Sequence, residues 1–95
     1  MATAIVKMRV GSYEEWKPVF DEAGELRRSH GVLSHRVLRG AEDPNEIVVI
    51  SEWPTSESAR SFQSDPKLRE FMQKAGVIGA PEVMWVGDET ESAGS

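Results

Sequence analysis

The chain has no cysteine. That removes disulfides, thiolate metal ligands and a thiol nucleophile together, and it fits a reducing compartment. Surplus positive charge is also missing, because 11 basic side chains stand against 16 acidic ones for a formal net charge of −5. A negative surface repels phosphates and the basic residues are scattered, so nucleic acid and anionic membrane are poor candidates as partners. The start, MATAIVKMRV, interleaves lysine and arginine with its apolar residues and does not read as a signal peptide. No apolar run reaches the ~20 residues that a bilayer-spanning helix needs. Nor does the sequence hold a metal-ligand spacing, a glycine-rich phosphate loop or a nucleophile elbow, so neither cofactor nor metal is expected. These absences together lead to the expectation of a soluble cytoplasmic protein.

What is present is one domain's worth of alternating patterns. Ninety-five residues suit a single domain whose core is small for its surface, and association is a common remedy. Thr3 to Val10 reads as a strand with Ala4, Val6, Met8 and Val10 on one side. Ser12 stands three residues before Glu15, the spacing of a helix-starting capping box. The helix that follows gathers Tyr13, Trp16, Phe20, Ala23 and Leu26 on one face and runs to about Ser29 or His30. Pro18 predicts a kink in it, and Gly31 is placed as its left-handed cap.

Val32 to Arg39 and Glu46 to Trp53 read as two strands joined by the turn-forming segment 40–45. Thr55 or Ser56 can cap a short helix carrying Ala59 and Phe62, and Ser64-Asp65-Pro66 marks a second helix start. Gly76, Gly79 and Pro81 then punctuate the way into a last strand, Glu82 to Val86. Residues 1–87 thus form the expected domain, and 88–95 an acidic, flexible tail. The order strand–helix–strand–strand–helix–strand predicts an α+β, ferredoxin-like βαββαβ fold, with an antiparallel four-stranded sheet in the order 4-1-3-2. Right-handed crossovers place both helical segments on one face. The run Ile47-Val48-Val49-Ile50 does not alternate, which means that both faces of its strand are covered. A second copy packed sheet to sheet, as a homodimeric α/β barrel, supplies the missing cover.

Several side chains are candidates for chemistry. His30 ends a helix, where its cation suits the dipole. His35 lies inside the second strand and, if it faces the helices, is placed to move a proton. Trp53, Tyr13 and Trp85 are candidates to wall a site for a flat apolar ligand, or are simple core. Arg60 heads the list for steadying negative charge, ahead of Arg36 and Arg39, with a solvated surface cation as the plain alternative. Glu52 is a candidate base if burial raises its pKa, and otherwise the partner of Lys7 or Arg36 across the sheet.

The segments Tyr13-Glu14-Glu15-Trp16-Lys17-Pro18-Val19-Phe20-Asp21-Glu22, Asp43-Pro44-Asn45-Glu46, Glu52-Trp53 and Ala75-Gly76-Val77-Ile78-Gly79-Ala80-Pro81 carry a resemblance over residues 3–86. The chain resembles short bacterial proteins of the antibiotic-biosynthesis-monooxygenase-like, dimeric α/β-barrel superfamily, many of them loosely labelled cyclases. The quinone-forming, cofactor-free branch resembles itself in an Asn, Trp and Arg set. This chain has Asn45, Trp53 and Arg60, but Asn45 falls in the hairpin, away from any pocket. The haem-degrading branch uses a histidine on the second helix, and residues 55–75 contain none. The resemblance implies a cofactor-independent cyclase or monooxygenase acting on an aromatic or polyketide-like molecule in a helix–sheet pocket. In that picture His35 moves the proton, Arg60 steadies charge and Trp53 shapes the ligand bed. The alternative is a non-catalytic homodimer that binds a small apolar molecule or serves a structural or stress-related role.

Overall fold

A computed structural model describes residues 1–87 and 90–94. The element order is β1 (Ala2–Val10), α1 (Tyr13–Glu22), α2 (Gly24–Ser29), β2 (Ser34–Arg39), β3 (Glu46–Trp53), α3 (Ser56–Gln63), α4 (Pro66–Lys74) and β4 (Val77–Val86). All strand pairs are antiparallel, in the order β2-β3-β1-β4. This is the α+β ferredoxin-like arrangement expected, and the sheet stays open in the single chain. Residues 88, 89 and 95 of the expected tail lie outside the described residues.

Strand alternation decides where the core sits. Ala2, Ala4, Val6, Met8 and Val10 are buried under the helices, as are Ile47, Val49, Ser51 and Trp53 of β3. Full burial of a side chain the size of Ile47 stabilises by roughly 1.5–3 kcal/mol. The alternate residues of both strands form the other face, which no helix covers.

Local signals explain the element starts. Ser12 caps α1 by accepting the Glu15 backbone N–H at 3.4 Å. Thr55 and Ser58 make a complete capping box for α3. Asp65 caps α4 through the Lys67 N–H at 2.9 Å, with Pro66 where its missing N–H costs nothing. Gly31, at φ 92°, turns the chain out of α2 as expected.

Two expectations need correction. The first helix breaks at Ala23-Gly24 rather than running unbroken to Ser29 or His30, with Pro18 inside its first part. Pro18 sits early enough that the carbonyl it leaves unbonded belongs to the first turn, whereas Gly24 is a poor helix former. The last strand starts at Val77, not Glu82. Val77 and Ile78 pair with Val10 and Arg9, and pairing resumes at Glu82 opposite Lys7. The stretch 79–81 bows out as a bulge that the φ of 72° at Gly79 permits. Glycine and proline were therefore marks inside a strand, not a boundary between elements.

Candidate functional site

Among the described residues, three spaces between helices and sheet stand out. The widest of these three is a cleft of about 490 Å³ between α4 and β4, with Gln63, Asp65 and Arg69 at its polar margin. Two apolar cavities of about 50 Å³ each lie over the central strands, one against Met8, Trp16 and Phe71, the other against Val6, Val49 and Ser51. Leu68 and Met72 border all three spaces, and Arg27 borders both inner ones. Among the described residues, no three histidine or carboxylate side chains gather in a way that could hold a metal ion.

His35 faces the helix layer, since it pairs with buried Ser51. Its ring meets the edge of Phe20 at 5.4 Å between centroids. Partial desolvation holds its pKa below the ordinary histidine value; Arg27 and Lys17 add to this and Asp21 opposes it. That direction favours the neutral imidazole, the form able to accept a proton.

Trp53 is only 1% exposed and belongs to the core. Its indole N–H donates to Ser51 Oγ at 2.8 Å, and its ring lies 5.2 Å from that of Phe62. Ser51 and Phe62 border an inner cavity, whereas Trp53 stands behind them and lines none of the three spaces. Glu52, its chain neighbour, points to the opposite face and accepts a hydrogen bond from the Thr3 hydroxyl at 2.8 Å. Of the two partners expected for it, Lys7 pairs with Glu46 instead, at 3.1 Å, and among the described residues Arg36 makes no ion pair with it. Tyr13 is covered by the Arg39 guanidinium at 4.2 Å, and Trp85 by that of exposed Arg60 at 4.8 Å. The structure thus brings Arg60 to Trp85 and sets Trp53 behind the cavity wall. It does not bring Arg60, Tyr13 or Glu52 to His35.

Two groups escaped the sequence reading. His30 does end α2, yet its ring bridges helices: Nε2 lies 2.9 Å from Asp65 Oδ2, and Nδ1 lies 3.2 Å from Ser61 Oγ. The hydrogen bond from His30, then that from the Lys67 backbone, holds the Asp65 carboxyl below the usual range. Arg27 is the other. It is buried, its guanidinium lies 3.8 Å from the Phe20 ring centre, and burial pushes its pKa down, with Arg28 adding to that effect and Asp21 opposing it. In sequence it is half of an Arg-Arg pair in a last helical turn, which reads as surface charge.

The same fold occurs in solved structures. A cofactor-independent oxygenase of Streptomyces nogalater, SnoaB, superposes with a TM-score of 0.76 at 18% identity, over 95% of this chain and 94% of its own. A monooxygenase of Streptomyces coelicolor, ActVA-Orf6, crystallised in complex with nanaomycin D, superposes at 0.70 with 19% identity, over 99% and 92% of the two chains. No curated protein matches the sequence. The family model for antibiotic biosynthesis monooxygenases matches residues 1–74, which takes in every element up to the end of α4, and the chain accordingly belongs to that family.

Proposed function

We propose that the protein is a small cofactor-independent enzyme of monooxygenase or cyclase type, acting on an aromatic or polyketide-like molecule between helices and sheet. The observation that carries this reading is the set of spaces on the helix face, the α4–β4 cleft and two inner cavities over the central strands, which share Leu68 and Met72 as lining. A cleft of about 490 Å³ is in the range of small-molecule sites. Family membership supports the reaction class. His35 takes an acidic phenolic or enolic proton. The anion left behind adds dioxygen at carbon and takes the proton back to give a hydroperoxide, which loses water to leave a carbonyl, or the anion attacks a carbonyl of the same molecule to close a ring. Trp53 acts as a positioning residue, through Ser51 and Phe62. Arg60 with Trp85, and Tyr13 with Arg39, line none of the three spaces and are assigned in this reading to the outer flanks of the ligand site.

The test is oxygen uptake with 1,8-dihydroxyanthrone and related hydroquinones, with no flavin or metal added. Saturable uptake is expected, and His35→Ala is expected to lower kcat by about 100-fold or more. Undiminished uptake by His35→Ala removes His35 from the mechanism, and no uptake across the series refutes the oxygenase reading.

We also propose that the working form is a homodimer joined through the open sheet face. Ile5, Leu38, Val48, Ile50, Ile78 and Met84 share that face, with Ile78 56% and Met84 61% exposed in the single chain. An apolar face of this breadth calls for a cover. The second functional reading, a non-catalytic dimer that binds a small apolar molecule, draws support from the separation of Arg60 and Glu52 from His35.

A further inference from the structure

Arg27 is the residue that the fold itself leaves unexplained. It is 6% exposed, yet among the described residues its guanidinium has neither a carboxylate partner nor a side-chain hydrogen bond. The ion pairs present involve Lys7, Arg9, Lys17, His30 and Lys74. Phe20 covers a flat side of the guanidinium, and that stacking satisfies the π-face while leaving the edge N–H donors without acceptors. No fully sealed polar side-chain atom lacks a partner, so the guanidinium nitrogens keep some accessible surface, and Arg27 lines the two inner cavities. A buried, unpaired charge destabilises a fold. Its place at the junction of two cavities gives that cost a purpose.

We propose that Arg27 is an anion receptor, whose guanidinium edge binds a deprotonated oxygen of the ligand: a phenolate, an enolate or a carboxylate. The ligand class rests on the function proposed above, whereas the anion site rests on Arg27 alone. The dimensions agree with this assignment. Each inner cavity, at about 50 Å³, takes one or two heavy atoms, given that a water occupies about 30 Å³. A ligand's charged end therefore reaches Arg27 while its ring system stays in the larger cleft. Leu68 and Met72 form the wall between, and unbranched Met72 can swing aside without loss of packing. His35 packs against Phe20, the ring on which Arg27 stacks, and although it lines none of the three spaces it is the base that the proposed function assigns to the proton whose loss creates the anion.

The probes are 2-hydroxy-1,4-naphthoquinone, an anion at pH 7, and its neutral 2-methoxy analogue, each titrated calorimetrically into the full chain. The wild type is expected to bind the anion about tenfold tighter or more, the scale of a charge-assisted hydrogen bond. Arg27→Met should abolish that preference while leaving affinity for the methoxy compound unchanged, and Arg27→Lys should restore part of it. An undiminished preference in Arg27→Met overturns the proposal. Benzoate separates this failure from failure of the functional reading. If neither quinone binds but benzoate raises the wild-type Tm and not that of Arg27→Met, the anion site stands and the quinone-like ligand class falls. If benzoate and the quinones leave the wild type unmoved, the receptor is refuted. Arg27→Met alone should melt no lower than the wild type, because it removes an unpaired charge. A large loss of Tm in both Arg27→Met and Arg27→Gln, without any anion effect on the wild type, assigns Arg27 to structure and overturns the proposal as well.

Discussion

The helix-covered face and the open face of the sheet draw on alternate residues of the same four strands, but they solve different problems. On the covered face, Val6, Met8, Ile47 and Val49 pack with Trp16, Val19 and Ala75 into a core with little left to solvent. On the open face, Val48 and Ile50 are only half-buried, and ion pairs join Lys7 to Glu46 and Arg9 to Asp43 towards the hairpin end. A solvent-facing antiparallel strand ordinarily alternates apolar with polar residues, and β3 does so only at its ends. The contrast teaches that burial within the chain accounts for one half of the apolar pattern and burial between chains is the natural account of the other.

The sharpest way to break this contrast is to truncate one residue on each face. Trp16→Ala, on the covered face, should cost about 3–5 kcal/mol by urea denaturation. Ile5→Ala, on the open face, should cost well under half of that if the protein is monomeric. A comparable loss, dependent on protein concentration, would show that the open face is buried in a dimer.

Ile50→Lys tests the open face directly. Sedimentation equilibrium of the wild type at micromolar concentration should give twice the chain mass, and Ile50→Lys should give the single mass with its far-UV spectrum intact. A wild type that sediments as one chain throughout that range refutes the proposed dimer.

Neighbours on opposite faces offer a finer comparison. Trp53→Phe should cost about 1–3 kcal/mol, because it leaves a void and takes away the indole partner of buried Ser51. Glu52→Gln should change stability by no more than about 0.5 kcal/mol, since the amide can still accept from Thr3. Equal effects would mean that the two faces do not differ in the way their exposure indicates.

The smallest effect concerns pH. A depressed folded-state pKa at His35 means that the unfolded chain binds its proton more readily. The associated stability is present above the unfolded histidine value and is lost as pH falls through the depressed folded one. NMR titration of the ring should place its midpoint below that of an unfolded peptide. Arg27→Met should move it up, because one of the two cations that disfavour the imidazolium is gone, Lys17 remaining.

Where the backbone chemistry is local, the fold was legible. Ser12, Gly31, Thr55 and Asp65-Pro66 each mark a boundary by a hydrogen bond or dihedral angle that a few residues determine. The early start of β4 was not legible, because Gly79 and Pro81 serve a bulge as readily as a loop, and only the register against β1 decides between them. The sequence left open which sheet face His35 and Glu52 occupy; the hairpin register, which sets His35 opposite buried Ser51, decides it and separates Glu52 from Trp53. The position of Trp53 behind the cavity wall depends on how α3 sets Phe62 over it, which no periodicity contains. Arg27 and Arg28 are adjacent in sequence, and only packing of α2 on the sheet makes one buried and the other exposed.

The bulge at residues 79–81 also bears on how the protein avoids unlimited self-association. Strand β4 lies at an edge of the sheet, where a straight row of free amides and carbonyls would invite another strand, and then another, towards a fibril. Gly79 bends that row and Pro81 removes a donor from it. The irregular stretch shortens the straight row that another strand could use at this edge, which disfavours growth along the hydrogen-bonding direction.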